Sequence, residues 1–316
     1  MSPLAETILF VFGLVAAGYV SGLTGYLRTE TGDAVAEFAV GVALPLLLFR
    51  TMVGADFHGA APWALWASYF SAILIVWTVG HLVTTRIFGR DARAGVVGGV
   101  TSSFSNLVLL GIPFMLGVFG QQGFEVLSLL VSVHLPIMIA ASILLFEWAS
   151  RGEEGGKSLP ELGRIFLRRL FTNPLIIGIL CGLLFRATGL PMPALAGRLI
   201  DALANVAGPI ALFAMGLGLR KFGISGNVRA GIALAALKLF LMPAIVLGMA
   251  WLFGLPPLTA KVAVAAAALP AGVNSYLIAT QFGTGQALAS NAMTIGTAAA
   301  VLSTTLWLAL AQMVFG

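Results

Sequence analysis

Ten apolar stretches, each of about 17 to 30 residues, occupy most of this 316-residue sequence. An α-helix needs about 20 apolar residues to cross a bilayer, and lipid offers no partner for an unpaired backbone group. The sequence therefore predicts an all-α polytopic membrane protein. The predicted spans are residues 6–27, 33–54, 61–88, 93–119, 122–148, 173–189, 195–219, 228–254, 258–282 and 286–315.

The composition excludes several classes of protein. Hydrophobic residues make up 59% of the chain and charged residues 9%, against about 25% charged residues in a soluble domain. We therefore exclude an ordinary cytosolic enzyme, a disordered chain and a nucleic-acid-binding module. Cys181 is a single cysteine, and the three histidines are far apart, so we expect no disulfide, metal site or cofactor. Residues 6–27 exceed the core of a signal peptide, which predicts a retained first span.

Lysine and arginine residues predict the orientation. Twelve of the 17 lie in breaks on the side away from the N-terminus, and three lie on the N-terminal side. The positive-inside rule places the larger group in the cytoplasm, so both termini face outward from the cytoplasmic (inner) membrane. The polar segment Ser150–Thr172 becomes a cytoplasmic linker. Within it, Leu159–Phe171 has the pattern of an amphipathic helix on the membrane surface, with a solvated linker helix as the alternative.

An internal repeat is visible when each residue is compared with the one whose number is higher by 164. The matched pairs include Gly18 with Gly182, Gly25 with Gly189, Pro45 with Pro209, Phe49 with Phe213, Gly54 with Gly218 and Gln122 with Gln286. Each half holds five spans, so the second half enters the membrane inverted, as in many secondary transporters. We therefore predict one transporter domain with repeat one at residues 1–149, the linker at 150–172 and repeat two at 173–316. The motifs Gly18-xxx-Gly22 and Gly178-xxx-Gly182 predict close helix packing inside the protein.

Two spans contain helix-breaking or polar residues at membrane depth. The fourth span contains Ser105 and Asn106, and the ninth contains Pro270 and Gly272. At the same offset Asn106 matches Pro270, so the interruptions fall at corresponding places. We predict helix breaks at Ser105 and Pro270, where inverted-repeat carriers bind substrate.

The chemistry of two broken helices favours an anion. Unpaired N–H groups at the start of each second half-helix give a positive end, and two such ends attract a carboxylate. The predicted substrate-binding residues are Ser103, Phe104, Ser105, Asn106, Gly272, Val273, Asn274 and Ser275. The alternative is that Asn and Ser bind neighbouring helices together.

Four ionisable residues within or beside the spans are further candidates. Arg50 and Lys238 are cations inside spans, and either can supply the counter-charge for an anionic substrate. The alternatives are that Arg50 extends to the outer interface and that Lys238 binds a carbonyl of a broken helix. Asp201 is predicted to pair with Arg198. His134, together with Lys238, can form a proton relay, or His134 can be structural.

The sequence also resembles a known family. The segment 106–113 (NLVLLGIP) resembles the fourth-span signature of the auxin efflux carriers, which include plant PIN-type exporters and bacterial malonate-type carriers. The segments 44–49, 172–174 and 268–272 are similar to its second, sixth and ninth spans, and the similarity covers nearly the whole chain. Ser105 stands where plant members carry a crossover proline, and the long central loop of many plant members is absent, which disfavours auxin as the substrate.

The resemblance implies a fold and a mechanism. It implies ten spans as a 5+5 inverted repeat with crossed broken helices four and nine, as in sodium–proton antiporters and bile-acid symporters. It implies an elevator cycle in which spans 3–5 and 8–10 move against a scaffold of spans 1, 2, 6 and 7, often in a homodimer through the scaffold. Asn106 matches the family's crossover asparagine, which engages the substrate carboxylate.

Together these arguments predict a secondary transporter of a small organic anion, most simply a carboxylate. The alternative is a sodium- or proton-coupled carrier of the bile-acid symporter type; that version is weakened because the crossing spans lack carboxylates. An intramembrane enzyme or receptor-like sensor is disfavoured, since the spans contain no nucleophile–base pair.

Overall fold

A computed structural model describes residues 3–55, 62–150, 159–222, 224, 226 and 228–316. Every regular element in these ranges is helical, which confirms the all-α class. The helices are α1 Pro3–Leu23, α2 Thr29–Phe38, α3 Leu44–Gly54, α4 Pro62–Leu82, α5 Ala92–Ser103, α6 Ile112–Ala149, α7 Leu159–Phe171, α8 Pro174–Ala187, α9 Ala194–Phe222, α10 Val228–Ala236, α11 Met242–Leu252, α12 Pro257–Ala268, α13 Val273–Gln281 and α14 Gln286–Phe315. The predicted amphipathic segment forms α7, whereas residues 151–158 of the predicted linker lie outside the described residues.

Seven helical runs among the described residues are long and apolar enough to cross a membrane. They are Glu6–Leu23, Glu30–Gly54, Pro62–Ile87, Leu107–Ala149, Ala194–Leu219, Val228–Leu252 and Gln286–Phe315. Of the shorter apolar helices, α8 lies within the predicted span 173–189 and α12 overlaps the predicted span 258–282. The protein is therefore a multi-pass helical membrane protein.

The run Leu107–Ala149 is too long for one straight crossing. Its 43 residues would extend about 65 Å at 1.5 Å per residue, against about 30 Å of hydrocarbon. The helix is interrupted at Gly120, whose φ of 64° and ψ of −158° are not helical. Glycine adopts such a positive φ at little cost because it has no Cβ. The interruption falls in the break predicted between residues 119 and 122.

Among the described residues, three of the four π-helical turns precede a proline; the fourth, Val83–Ile87, does not. The three turns span Ala39–Ala43, Leu107–Gly111 and Leu237–Leu241, and Pro45, Pro113 and Pro243 follow each turn by two residues. A proline has no N–H for the helical ladder, and its ring clashes with the carbonyl four residues earlier. Widening the preceding turn relieves that clash, so the prolines account for the position of these turns.

The contacts divide the chain into two compact units. Unit 1 contains residues 1–58, 108–132 and 167–221. Its helices approach closely at glycines: Gly178 and Gly182 of α8 face the backbone carbonyls of Pro45 and Phe49 in α3, and Gly18 of α1 faces the carbonyl of Phe213 in α9. The close packing predicted at these three glycines is confirmed.

Unit 2 contains residues 59–107, 133–166 and 222–316. Helix α5 begins where the Asp91 side chain accepts a hydrogen bond from the Ala94 N–H at 2.7 Å, which caps an otherwise unpaired helix end. From Ala94 to its end at Ser103, α5 is buried. Helix α12 is rich in alanine and equally buried. Small side chains on these two helices allow neighbours to pack on all sides, which places their C-terminal ends deep inside unit 2.

We predict that Gly18→Ala lowers the midpoint temperature of thermal unfolding, because the added methyl group collides with the Phe213 carbonyl oxygen. Overpacking of this kind costs about 1–3 kcal/mol. Gly13→Ala in the same helix is the matched control, since a Cβ there meets nothing within 4 Å. Thermal unfolding of both purified variants in detergent checks this. Equal midpoints for the two variants would contradict the packing described for α1.

Candidate functional site

Helices α5 and α12 both end at buried residues. After Ser103 the chain becomes extended at Phe104 (φ −83°, ψ 95°), and after Ala268 it becomes extended at Leu269 (φ −64°, ψ 150°). Helical structure resumes at Leu107 and at Val273. The interruptions are thus residues 104–106 and 269–272, and they include Ser105 and Pro270.

The two interrupted segments pair with each other, in a region named here the crossover (residues 104–106 and 269–272). Ser105 lies opposite Ala271 in an antiparallel bridge. The Asn106 N–H donates to the Pro270 carbonyl at 2.9 Å, and the Gly272 N–H donates to the Phe104 carbonyl at 3.0 Å. In each interrupted segment, a backbone N–H and a backbone carbonyl that have no partner within their own helix are therefore hydrogen-bonded to the other segment. Buried backbone groups need such partners.

Gly272 permits this close approach. A Cβ at this position would lie 3.3 Å from the Cα of Asn106, closer than side chains normally pack. Gly272 also precedes α13 without a side-chain cap. The N–H groups of Val273 and Asn274 begin that helix, and both residues are half-buried.

Several hydroxyl side chains make hydrogen bonds in the crossover and in the helices next to it. The Tyr69 hydroxyl donates to Ser105 Oγ at 2.8 Å, and both residues are buried. Ser103 Oγ donates to the Gly99 carbonyl at 2.7 Å, and Ser275 Oγ donates to the Gly272 carbonyl at 2.7 Å. Asn106 is 7% exposed. Ser105 Oγ also donates to the Met242 sulfur at 3.9 Å. These hydroxyls therefore bind backbone oxygens, each other or a sulfur atom, and the contacts they make within the protein are structural.

The side chain of Lys238 caps the C-terminal end of α12. Lys238 itself belongs to the π-helical turn Leu237–Leu241 and is 1% exposed. Its Nζ donates a hydrogen bond to the Ala267 carbonyl at 2.5 Å. Ser303 Oγ donates to the neighbouring Ala268 carbonyl at 3.4 Å. A cation at a helix C-terminus faces the negative end of the dipole and satisfies a carbonyl that lacks a helical partner. This contact is the alternative foreseen for Lys238.

His134 packs against the crossover inside an aromatic cluster. Its ring centroid lies 4.9 Å from that of Phe104, 5.7 Å from that of Tyr69 and 6.3 Å from that of Phe70. The residue is 2% exposed, and its Nε2 has no hydrogen-bond partner among the described residues. An unpaired buried polar atom is costly, which makes this imidazole unusual for a core side chain.

Arg50 belongs to unit 1 and is engaged there. Its Nη1 lies 3.0 Å from Asp201 Oδ1 and donates to Asn205 Oδ1 at 2.8 Å. Asp201 thus pairs with Arg50 of another helix, whereas the sequence suggested Arg198. The i+3 spacing of Arg198 and Asp201 allowed a local pair, but the contact between α3 and α9 supplies a closer partner.

Several residues at these sites were missed by sequence reasoning. Tyr69, Met242 and Asn205 carry no local signal, because each meets a partner that is remote from it in sequence. Among the described residues, no group of three or more His, Cys, Asp or Glu side chains could hold a metal ion.

Comparison with known proteins identifies the family. Residues 3–308 match the family described as membrane transport protein. The chain belongs to this family. Its relatives include auxin efflux carriers, so the resemblance carried by the segment 106–113 is confirmed.

Three relatives illustrate its range. A Methanothermobacter thermautotrophicus protein named "Uncharacterized transporter" is 26% identical over 308 residues, covering 96% of each chain. A Rhizobium meliloti protein named "Putative malonate transporter" is 26% identical over 331 residues, covering 96% of this chain and 95% of its own. "Auxin efflux carrier component 8" of Arabidopsis thaliana is 23% identical over 320 residues, covering 84% and 87%.

We predict that Lys238→Met destabilises the protein by about 1–3 kcal/mol, because it leaves the buried end of α12 without this donor. Thermal unfolding of the purified variant checks this. Lys261→Met is the matched control, since that lysine donates to the exposed Gly316 carbonyl. A Lys238→Met protein that unfolds like the wild type would contradict the capping role.

Proposed function

We propose that this membrane transporter carries a small carboxylate through an elevator-type cycle and binds it at the crossover. The observation that carries the proposal is the paired interruption of α5 and α12 at buried residues. In membrane carriers, broken helices are tolerated where they line a binding cavity. The proposed ligand-binding residues are Ser103, Phe104, Ser105, Asn106, Gly272, Val273, Asn274 and Ser275.

The charge of the crossover favours an anion. No Asp or Glu occurs in residues 92–111 or 257–285, which disfavours cation exchange. The N–H groups of Val273 and Asn274 begin α13, where the helix dipole is positive. Asn106 and Asn274 can add amide donors. The carboxylate would therefore bind beside the start of α13, while Lys238 neutralises the nearby negative end of α12.

Three pairs of glycines support the inverted repeat. Positive φ angles occur at Gly25 and Gly189 (74° and 65°), whose residue numbers differ by 164. In the pairs Gly89 with Gly254 (both 62°) and Gly120 with Gly285 (64° and 72°), the residue numbers differ by 165. Glycines with similar positive φ at a nearly constant spacing are what two copies of one fold produce.

Reciprocal contacts support the same arrangement. In unit 1, Gly18 faces the carbonyl of Phe213 and Gly182 faces that of Phe49, and each contact becomes the other at an offset of 164. In the crossover, an offset of 166 pairs Asn106 with Gly272 and Phe104 with Pro270. Exchanging the residues of each pair converts the Asn106–Pro270 hydrogen bond into the Gly272–Phe104 hydrogen bond. At the crossover, therefore, Asn106 corresponds to Gly272 and not to Pro270, as an offset of 164 suggested.

The change of offset has a physical origin. Helices α5 and α12 both have 12 residues, but the first interruption has three residues and the second has four. The π-helical turn Leu107–Gly111 in the first half accommodates one additional residue, which restores the spacing of 165 by Gly120. Two single-residue insertions thus compensate each other, and the backbone repeat survives.

We propose ten crossings on this basis. Gly120 divides the run Leu107–Ala149, and α5 and α12 with α13 make interrupted crossings. Five crossings per half leave both termini on the outer face of the cytoplasmic membrane, in agreement with the lysine and arginine distribution. The helices α1–α3, α8 and α9 of unit 1 would form the scaffold of spans 1, 2, 6 and 7, and spans 3–5 and 8–10 would carry the substrate. Residues 108–132 of spans 4 and 5 group with unit 1 by their contacts, so the proposed moving part is not identical with unit 2.

The substrate class rests on chemistry and on relatives. One relative is named for malonate and another for auxin, and both compounds are carboxylates. We propose a compact carboxylate such as malonate as the first compound to test, because the crossover offers a few closely spaced donors.

We predict that Asn106→Ala reduces uptake of radiolabelled malonate into proteoliposomes at least about tenfold, which corresponds to the loss of one charge-assisted hydrogen bond. Gln121→Ala, at an exposed position, is the control. Uptake by Asn106→Ala equal to that of the wild type would remove the crossover from the binding site. If the wild type takes up no member of a carboxylate panel led by malonate, the substrate class is wrong.

Proton coupling is the second candidate function, favoured by His134. The unpaired imidazole contacts Phe104 of the crossover, so a proton there would act directly on the binding region. The Tyr69 ring on α4 packs against the same imidazole, and Lys238 is a second buried titratable residue of unit 2. Lys238 would be the partner of His134 in a proton relay.

We predict that an imposed proton gradient changes the rate of malonate uptake by the wild type and that His134→Gln abolishes this response while preserving uptake at equal pH. His81→Gln is the matched control. A gradient response that persists in His134→Gln would exclude His134 as the coupling residue, and dependence on sodium would favour the sodium-coupled alternative.

A further inference from the structure

A cavity of about 310 Å³ adjoins Arg50 within unit 1. It is lined by apolar or small residues of α1, α3, α6 and α9, including Phe10, Leu47, Pro113 and Leu212, and by the polar side chains of Arg50 and Asn205. This volume is at the lower end of the range for small-molecule sites. The cavity therefore suits a short, largely apolar compound with one polar group.

The guanidinium of Arg50 has unused donors. Its Nη1 serves both Asp201 and Asn205, and no other described residue accepts a hydrogen bond from it. A guanidinium has five N–H donors in a planar fork that matches a carboxylate bidentately. Both contacts of Arg50 use Nη1, and the residue also lines the cavity.

Helix α9 carries the carboxylate of Asp201, which binds the Arg50 guanidinium and would compete with an anionic ligand for it. Asp201 and Asn205 are one helical turn apart, so both side chains project from one face of α9 toward α3. Asn205 lines the cavity, whereas Asp201 is 56% exposed and is not among the lining residues. Arg50 therefore contacts an exposed carboxylate and also lines an apolar cavity.

We propose that this cavity is a second ligand site, which binds a small monocarboxylate through Arg50 and Asn205, with Asp201 as a built-in competitor. The ligand carboxylate binds the free edge of the guanidinium, and its apolar body fills the cavity. Asp201 holds Arg50 when the site is empty and opposes the ligand by charge repulsion. A dicarboxylate is disfavoured, because the lining offers its second charge no cation.

The test is direct binding of benzoate and butyrate to the purified full-length protein in nanodiscs, measured by titration calorimetry. Arg50→Gln should lower affinity at least about tenfold, as truncation of a charged partner does. Asp201→Asn should raise affinity about threefold or more, because it removes the competing charge. The opposite signs distinguish the site from a purely structural ion pair, for which both substitutions would lower stability and neither would improve binding.

Further variants keep the test decisive. Arg50→Lys retains the charge without the fork and should bind more weakly than the wild type and more tightly than Arg50→Gln. Gln121→Ala, at an exposed position outside the cavity lining, should leave benzoate affinity unchanged. Because Arg50 and Asp201 lie in unit 1 and the crossover lies in unit 2, the effects of Arg50→Gln and Asp201→Asn test this site separately from the crossover proposal. No binding of either probe by the wild type or by Asp201→Asn, or weaker binding by Asp201→Asn, would overturn the proposal.

Discussion

Two backbone hydrogen bonds between the interrupted segments are the constraint on which unit 2 depends. Ending a helix inside an apolar interior exposes N–H and C=O groups that lipid cannot satisfy. The bonds from Asn106 to Pro270 and from Gly272 to Phe104 remove that cost by using each break to satisfy the other. Pro270 also carries no N–H, so it removes one donor that the break would otherwise have to satisfy. Neither break is expected to persist without its partner.

The two interruptions have similar backbones but different chemistry. The end of α12 is capped by the Lys238 ammonium and by Ser303, whereas the segment after α5 is held by neutral hydroxyls through Tyr69 and Ser105. A basic side chain therefore caps one member only of this pair. Under the proposed function, this asymmetry would favour an anion at the crossover, and the similar backbones of the two breaks would not set that preference. Fold and selectivity would then depend on different residues.

Much of this architecture could be predicted from local sequence, and the limits have clear causes. Apolar length indicated the helical class, and Ser105, Pro270 and Gly272 marked the interruptions because polar residues, proline and glycine at membrane depth need an explanation. The register at the crossover could not be predicted, since exchanging its two hydrogen bonds requires an offset of 166, whereas the sequence matches indicated a constant offset of 164. The partners of Arg50 and His134 were also hidden. Asp201 lies 151 residues from Arg50, and no periodic pattern connects residues so far apart.

The two cations inside spans share one further property. Lys238 is bound to a carbonyl and Arg50 to Asp201 and Asn205, so any anion that uses either charge must compete with a group of the protein itself. Competition lowers affinity, because the ligand gains only the difference between its own contact and the one it replaces. A carrier benefits from that reduction, since a ligand that binds too tightly on one side is released too slowly on the other. Prior engagement of the positive charges is therefore compatible with transport, whereas a fully unpaired buried cation would favour permanent binding.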